Sequence, residues 1–236
     1  MKIKKNLETH VTNLILITLI IGMFFLAITS NIKSVYNENN NTAIYRGNSG
    51  NNNVSLMINI YWGTEYVEPI LEVLKNENVK ATFFVGGCWV AKNNEILKKI
   101  YDDGHEIANH GYYHKDHKYL SKERNQEEIY INHKMVKEIL NIDMTLFAPP
   151  SGSYNNLTLE VASSLGYKTI MWSKDTIDWR DKDCNLIYTR ATKNPKNGDL
   201  ILMHPTEHTL KALPDIIKFY KDNNFNLTTV SENISE

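Results

Sequence analysis

Two cysteines in 236 residues cannot build a disulfide scaffold, and Cys88 and Cys184 lack the CxxC spacing of a zinc ribbon or a redox pair. They read as two unpaired thiols, with a single bridge between them as the alternative. The chain also lacks a charge excess: 26 Lys and Arg face 27 Asp and Glu, for a formal net charge of −1, and no basic stripe appears. A nucleic-acid partner therefore has no electrostatic basis. With 11 Gly and 6 Pro, a collagen-like chain is excluded. What is abundant is apolar surface, 42% of residues, enough for one ordinary domain with a full core and an appendage.

The appendage comes first. Lys2, Lys4 and Lys5 precede a run from Val11 to Thr29 that is apolar apart from Thr12, Asn13 and Thr18. That run is long enough to cross a hydrocarbon core, and the lysines would stay cytoplasmic. Residues 1–30 thus read as a transmembrane anchor that places the rest outside the membrane. Ala27-Ile28-Thr29 is a poor cleavage site; if the segment is cut, the protein is secreted. Residues 31–53 hold two Asn-rich tracts with little to bury and read as a flexible linker.

From residue 54 to 236 short β-type runs alternate with amphipathic stretches. Strands are expected at Val54–Ile60, Ala81–Val85, Glu106–Ala108, Thr145–Phe147, Lys168–Trp172, Leu200–Met203 and Asn226–Val230. Helices are expected at Glu65–Lys75, Asn93–Asp102, Lys122–Leu140, Leu157–Leu165, Leu186–Ala191 and Leu210–Asp222. This alternation favours an α/β fold, a parallel sheet with crossover helices that can close into a seven-stranded (β/α) barrel.

His110 and His114 stand four apart in a Gly- and Tyr-rich segment and can meet on one divalent cation, though the same spacing also fits a solvated surface. Position decides between the two. Asn59 to Gly63, Gly86 and Gly87, His110 and His114, Pro149 to Tyr154, Asp175 to Trp179 and His204 all follow expected strand ends, which in a parallel barrel share one face. His105 reads as structural, His117 as a solvated loop residue, and His133 and His10 as outside the site. Pro205 argues against a shared helical face for His204 and His208.

These segments resemble the NodB-type polysaccharide deacetylases, the family four carbohydrate esterases. Ala81 to Val85 resembles the second strand, Gly104 to His110 with His114 the HxxxH motif, Pro149 to Tyr154 and Asp175 to Trp179 the two middle motifs, and Leu202 to Pro205 the closing histidine motif. The wording at Trp62-Gly63, Phe147 to Gly152 and Asp175 to Trp179 looks most like the sporulation-associated branch of Gram-positive bacteria. The resemblance implies a distorted NodB-type barrel that removes N-acetyl groups from an amino-sugar polymer such as peptidoglycan, using zinc or a related ion. It assigns His110 and His114 to the metal, Ser151 to the oxyanion, His204 to the proton donor and Asp178 to its orientation. Trp179 and Leu202 would wall the acetyl pocket, and Tyr154 would contact substrate.

The first motif departs from the family. A Thr-Phe-Asp-Asp-Gly is expected where the chain reads Ile58-Asn59-Ile60-Tyr61-Trp62-Gly63. Asn59 and Ile60, or Tyr61 and Trp62, replace the two carboxylates. An amide positions water but does not accept its proton at neutral pH. Ala148 stands where the family has the Arg that pairs with the catalytic Asp, so both members of that pair are gone. Glu65 and Asp175 are the candidate substitutes. Four of the five motifs remain, including the acid, so the reading is a metal-dependent deacetylase with an altered base; the alternative is a catalytically impaired protein that binds glycan or serves as an envelope scaffold.

Overall fold

In this computed structural model the alternating pattern folds into a parallel sheet flanked by helices. The structure describes residues 17, 18 and 41–235, so the expected anchor lies outside the described residues except at 17 and 18. Among the described residues no helix is long and apolar enough to cross a membrane.

The strands are β1 (Asn53–Ile60), β2 (Thr82–Val85), β3 (Glu106–Asn109), β4 (Leu146–Phe147), β5 (Lys168–Thr169), β6 (Lys174–Asp175), β7 (Leu200–Met203) and β8 (Asn226–Leu227). The helices are α1 (Thr64–Asn76), α2 (Gly87–Val90), α3 (Asn94–Asp102), α4 (Lys122–Leu140), α5 (Asn156–Ser164), α6 (Cys184–Thr192), α7 (Glu207–Asp222) and α8 (Val230–Ile234). Lateral order is β5-β4-β3-β2-β1-β7-β6, with β8 paired to the first residues of β1, and every pairing is parallel.

β1 lies in the middle and is buried on both faces, which explains its near-continuous apolar run. Val54, Leu56, Ile58 and Ile60 face the helices, while Met57 joins Phe84, Ala108, Leu146, Ala148, Ile170 and Leu200 inside the curved sheet.

The expected closed seven-stranded barrel is corrected to a half-barrel, because β5 and β6 do not pair. The run at 168–172 leaves the sheet after Thr169, and Lys174–Asp175 forms a strand too short to show a period in sequence. Residues 44–47 occupy this opening. Ile44 N–H donates to the Thr169 carbonyl at 2.9 Å, Met171 N–H donates to the Ile44 carbonyl at 2.8 Å, and Arg46 bridges Asp199. The buried Asp199 carboxylate also pairs with Arg46 and Lys174. The linker reading of 31–53 therefore extends too far. Residues 41–53 belong to the folded unit, ordered by backbone pairing that composition does not reveal.

The last expected strand stops at Leu227, because a reciprocal capping box between Thr229 and Glu232 starts α8 instead. Val230 enters the inner cluster, and its N–H donates to Thr82 Oγ1 at 2.8 Å, so α8 plugs the end of the half-barrel away from the C-terminal strand ends. Both cysteines are free.

His105 is buried against Phe83, and Ala81 N–H donates to its Nδ1 at 3.2 Å. That bond needs an unprotonated Nδ1, and burial pushes the imidazole pKa down to about 4. The folded state thus stays neutral where the unfolded chain takes a proton near pH 6.5, so stability falls as pH drops below that value and levels off below about 4. Urea unfolding at pH 7 and pH 4 should show a loss of up to about 3 kcal/mol from this residue. A smaller loss is expected in His105→Gln, whose amide oxygen accepts without titrating; an equal loss in both proteins would place the acid sensitivity elsewhere.

Candidate active site

The C-terminal strand ends open into a cleft of about 490 Å³. β1 and the turn after it supply Asn59, Tyr61 and Trp62; the loop after β3 supplies His110 and His114; and the turn after β4 supplies Ser151. Trp172, Asp175 and Trp179 come from around β6, and Leu202 and His204 from β7 and its end. The convergence expected from sequence is present. All the expected site residues line this cleft except Asp178, which sits behind His204, and Tyr154, whose hydroxyl bonds that of Tyr45 at 2.6 Å.

His110 and His114 approach with ring centroids 5.1 Å apart. His110 Nδ1–H donates to the Ala148 carbonyl at 2.8 Å, which leaves the lone pair on Nε2. Burial drives the His110 pKa well below its usual value and lowers that of His114 as well, so both rings are neutral at pH 7. Their loop hangs on buried polar groups. Asn109 Oδ1 accepts from Gly111 N–H and Asn132 Nδ2, while Glu128 Oε2 accepts from Tyr112 and Tyr113 N–H at 3.0 and 2.7 Å. Sequence reading missed Glu128; its only signal is a carboxylate on the buried face of α4.

Opposite them, Asp178 is fully buried and accepts three hydrogen bonds. His204 donates through Nδ1 at 2.8 Å and through its backbone N–H at 2.6 Å, and Thr209 Oγ1 donates at 2.5 Å. This orients the other imidazole edge of His204 away from Asp178, as the resemblance implied. Three non-glycine residues beside the cleft have left-handed backbone, Ser151 (φ 55°), His114 (φ 55°) and Ile177 (φ 54°). Such conformations cost about 1–3 kcal/mol each and concentrate where side chains must be aimed.

The base side differs. Asn59 is 4% exposed, and its Oδ1 is buried without a hydrogen-bond partner. Ile60 faces the helix layer, not the cleft. Glu65 is excluded as a substitute, since it lines a separate groove beside α1. Asp175 does line the cleft, but its Oδ1 accepts from Ile177 N–H at 2.8 Å. His117 corrects the loop reading: it is fully buried, with Nδ1–H on Asn125 Oδ1 at 2.7 Å and its ring against Phe147. Polar neighbours in sequence hid this packing.

The family resemblance implies a resident zinc ion in this cleft. Zinc sites supply three or four ligands, and anionic ones offset the ion's charge. His110, His114, Asp175 and His204 all line the cleft, yet among the described residues no three His, Cys, Asp or Glu are placed to hold one ion, and the remaining polar group, Asn59, is a neutral amide. The donor set does not fit a tightly held divalent ion.

The sequence model of the polysaccharide deacetylase family matches residues 46–170. The chain belongs to that family. Among curated relatives, the uncharacterised protein YlxY of Bacillus subtilis is 39% identical over 82% of this chain and 60% of its own length, so the chain spans less than two thirds of that relative. A peptidoglycan-N-acetylglucosamine deacetylase of Bacillus cereus is 31% identical over 71% of this chain and 81% of its own. Among solved structures, a CE4 family pseudoenzyme from Bacillus anthracis is 36% identical, with a TM-score of 0.80 over 83% of this chain and 69% of that one. A mutant of it described as having restored enzymatic activity is similarly close, at 35% identity and a TM-score of 0.80 over 83% of this chain and 72% of that one.

In this member of the family a single change should expose the missing charge. Asn59→Asp places a carboxylate in the cleft with no cation beside it, so its folded pKa rises and the variant loses stability relative to wild type as pH climbs from 5 to 8, by about 1–3 kcal/mol. Millimolar zinc should raise the melting temperature of Asn59→Asp by several degrees and leave wild type within one. A matching zinc shift in wild type would refute the donor-set argument.

Proposed function

We propose that this domain is a glycan-recognition module on the deacetylase fold, which holds an N-acetylated sugar of a peptidoglycan-like polymer and does not complete the hydrolytic step. The observation that supports this is the base side of the cleft: Asn59 stands where proton abstraction needs a carboxylate, and among the described residues the one carboxylate lining the cleft, Asp175, holds Ile177 N–H. The buried imidazoles are poor substitutes, because burial weakens them as bases. The family membership supports the ligand class, since relatives are named as peptidoglycan deacetylases. Likeness to a chain described as a pseudoenzyme supports the loss of turnover.

On the sequence reading of residues 1–30, the module sits at the outer membrane face with its cleft available to the wall. The wording shared with the sporulation-associated branch supports an envelope role in a Gram-positive cell.

A second reading, slow hydrolysis with an altered base and a bound metal ion, is favoured by the Asp178–His204 pair at 2.8 Å in the same cleft as His110 and His114. The full chain incubated with zinc and chitooligosaccharide or peptidoglycan distinguishes the two. Binding without acetate release is expected; acetate release that His204→Ala abolishes would establish the second reading.

A further inference from the structure

Two consecutive aromatic residues lie across both halves of the cleft. Tyr61 packs on His114, with centroids 4.8 Å apart, and Trp62 stacks on His204 at 5.7 Å with the planes 9° apart. Trp62 is nevertheless 44% exposed and lines the cleft. The turn is fixed in this position. Gly63 has φ +75°, and a Cβ there would come within 2.0 Å of the Pro205 carbonyl oxygen, so only glycine lets the turn lie against the loop that carries His204. Trp89 Nε1 donates to Thr64 Oγ1 at 2.9 Å just beyond it.

Asn59 lines the same space. Asn59 Oδ1 has no partner, and an unsatisfied buried carbonyl costs about 1–3 kcal/mol unless a ligand donor meets it. A cleft with an apolar ring face on one wall and an orphaned acceptor on its floor suits a ligand with a flat C–H face and one amide N–H. An N-acetylhexosamine has both.

We propose that Trp62 is the ligand-stacking residue of this cleft, taking the C–H face of an N-acetylhexosamine whose acetamido N–H donates to Asn59 Oδ1. The inference rests on the glycan-recognition reading and deepens it. It gives the altered first motif a binding role: the residues that stand in place of a base and its neighbours supply an acceptor and a pre-positioned platform, which lowers the ordering cost of binding.

The test titrates the full chain with chitotetraose and with its fully deacetylated counterpart, following heat and indole fluorescence. Wild type should bind the acetylated oligomer more tightly, with a shift in indole emission. Trp62→Ala should weaken binding at least tenfold, and Trp62→Phe should keep it within about threefold while shrinking the emission shift to the part carried by Trp172 and Trp179, which line the same cleft. Asn59→Leu should lower affinity for the acetylated oligomer and shrink its advantage over the deacetylated one. Unfolding midpoints check that the variants fold; should Trp62→Ala not fold, Trp62→Leu, which keeps apolar bulk without a flat ring face, takes its place with the same expected loss. Binding by wild type with affinity unchanged in Trp62→Ala, or an emission shift as large in Trp62→Phe as in wild type, overturns the role of Trp62 and leaves the glycan reading standing. No binding of chitotetraose or solubilised peptidoglycan by wild type overturns both.

Discussion

The register of β1 is the constraint on which the rest depends. The strand is paired on both edges by β2 and β7, with Asn59 opposite Phe84 and Met57 opposite both Thr82 and Leu202. It is also buried on both faces, so each residue has a fixed side. A slip of one residue would send Ile58 and Ile60 into the cleft and Asn59 into the helix layer, burying an amide among Leu and Val side chains. The character of the cleft floor is thus set by the same alternation that builds the core.

From that strand the polar groups radiate in two directions. At one end Ser55 donates to the Thr229 carbonyl and accepts from Asn233, tying α8 beneath the inner cluster. At the other end the strand opens toward the imidazoles, which are held by amides and carboxylates that themselves never reach solvent. Asn109, Asn132 and Glu128 spend their hydrogen bonds on backbone groups of the His110 loop and its neighbours. A buried network of this kind is worth having only if nearly every member is satisfied. Asn59 Oδ1 is one of four buried side-chain atoms without a partner among the described residues, with Asn132 Oδ1 inside this network, His117 Nε2 and Asn233 Oδ1.

Long elements were legible in the sequence and short ones were not. Lys122–Leu140 and Leu200–Met203 match their expected bounds to the residue, because each has caps or turns at both ends and a full period between. β5 and β6 hold two residues apiece and show no period, so the opening between them was invisible, as was its filling by Ile44 and Arg46 from an Asn-rich stretch. Motif order brought together residues that line one cleft, with Tyr154 outside it, and it could not choose between the two alignments of the first motif. In the fold Asn59, Tyr61 and Trp62 line the cleft and Ile60 turns away. Trp172 was expected as the last residue of a strand and instead forms a cleft wall, since the chain leaves the sheet three residues earlier.

The intact pair of Asp178 and His204 invites a catalytic explanation, because a proton donor serves a hydrolase and not a binding site. The geometry weakens that inference. Asp178 accepts from the His204 backbone, the His204 ring and the Thr209 hydroxyl, joining the loop after β6 to the end of β7 and to the first turn of α7. Removing the carboxylate would strand three buried donors, at a cost of about 1–3 kcal/mol for each one left unpaired. The acid half of the site is therefore part of the structure that holds the cleft together. A base carboxylate at position 59 would hold nothing comparable: its replacement by an amide leaves the strand, its register and its neighbours in place, with only one unpaired oxygen to mark the change. The two halves differ in what their loss does to the fold, and that difference accounts for a site with its donor side complete and its base side empty without requiring that the donor be used.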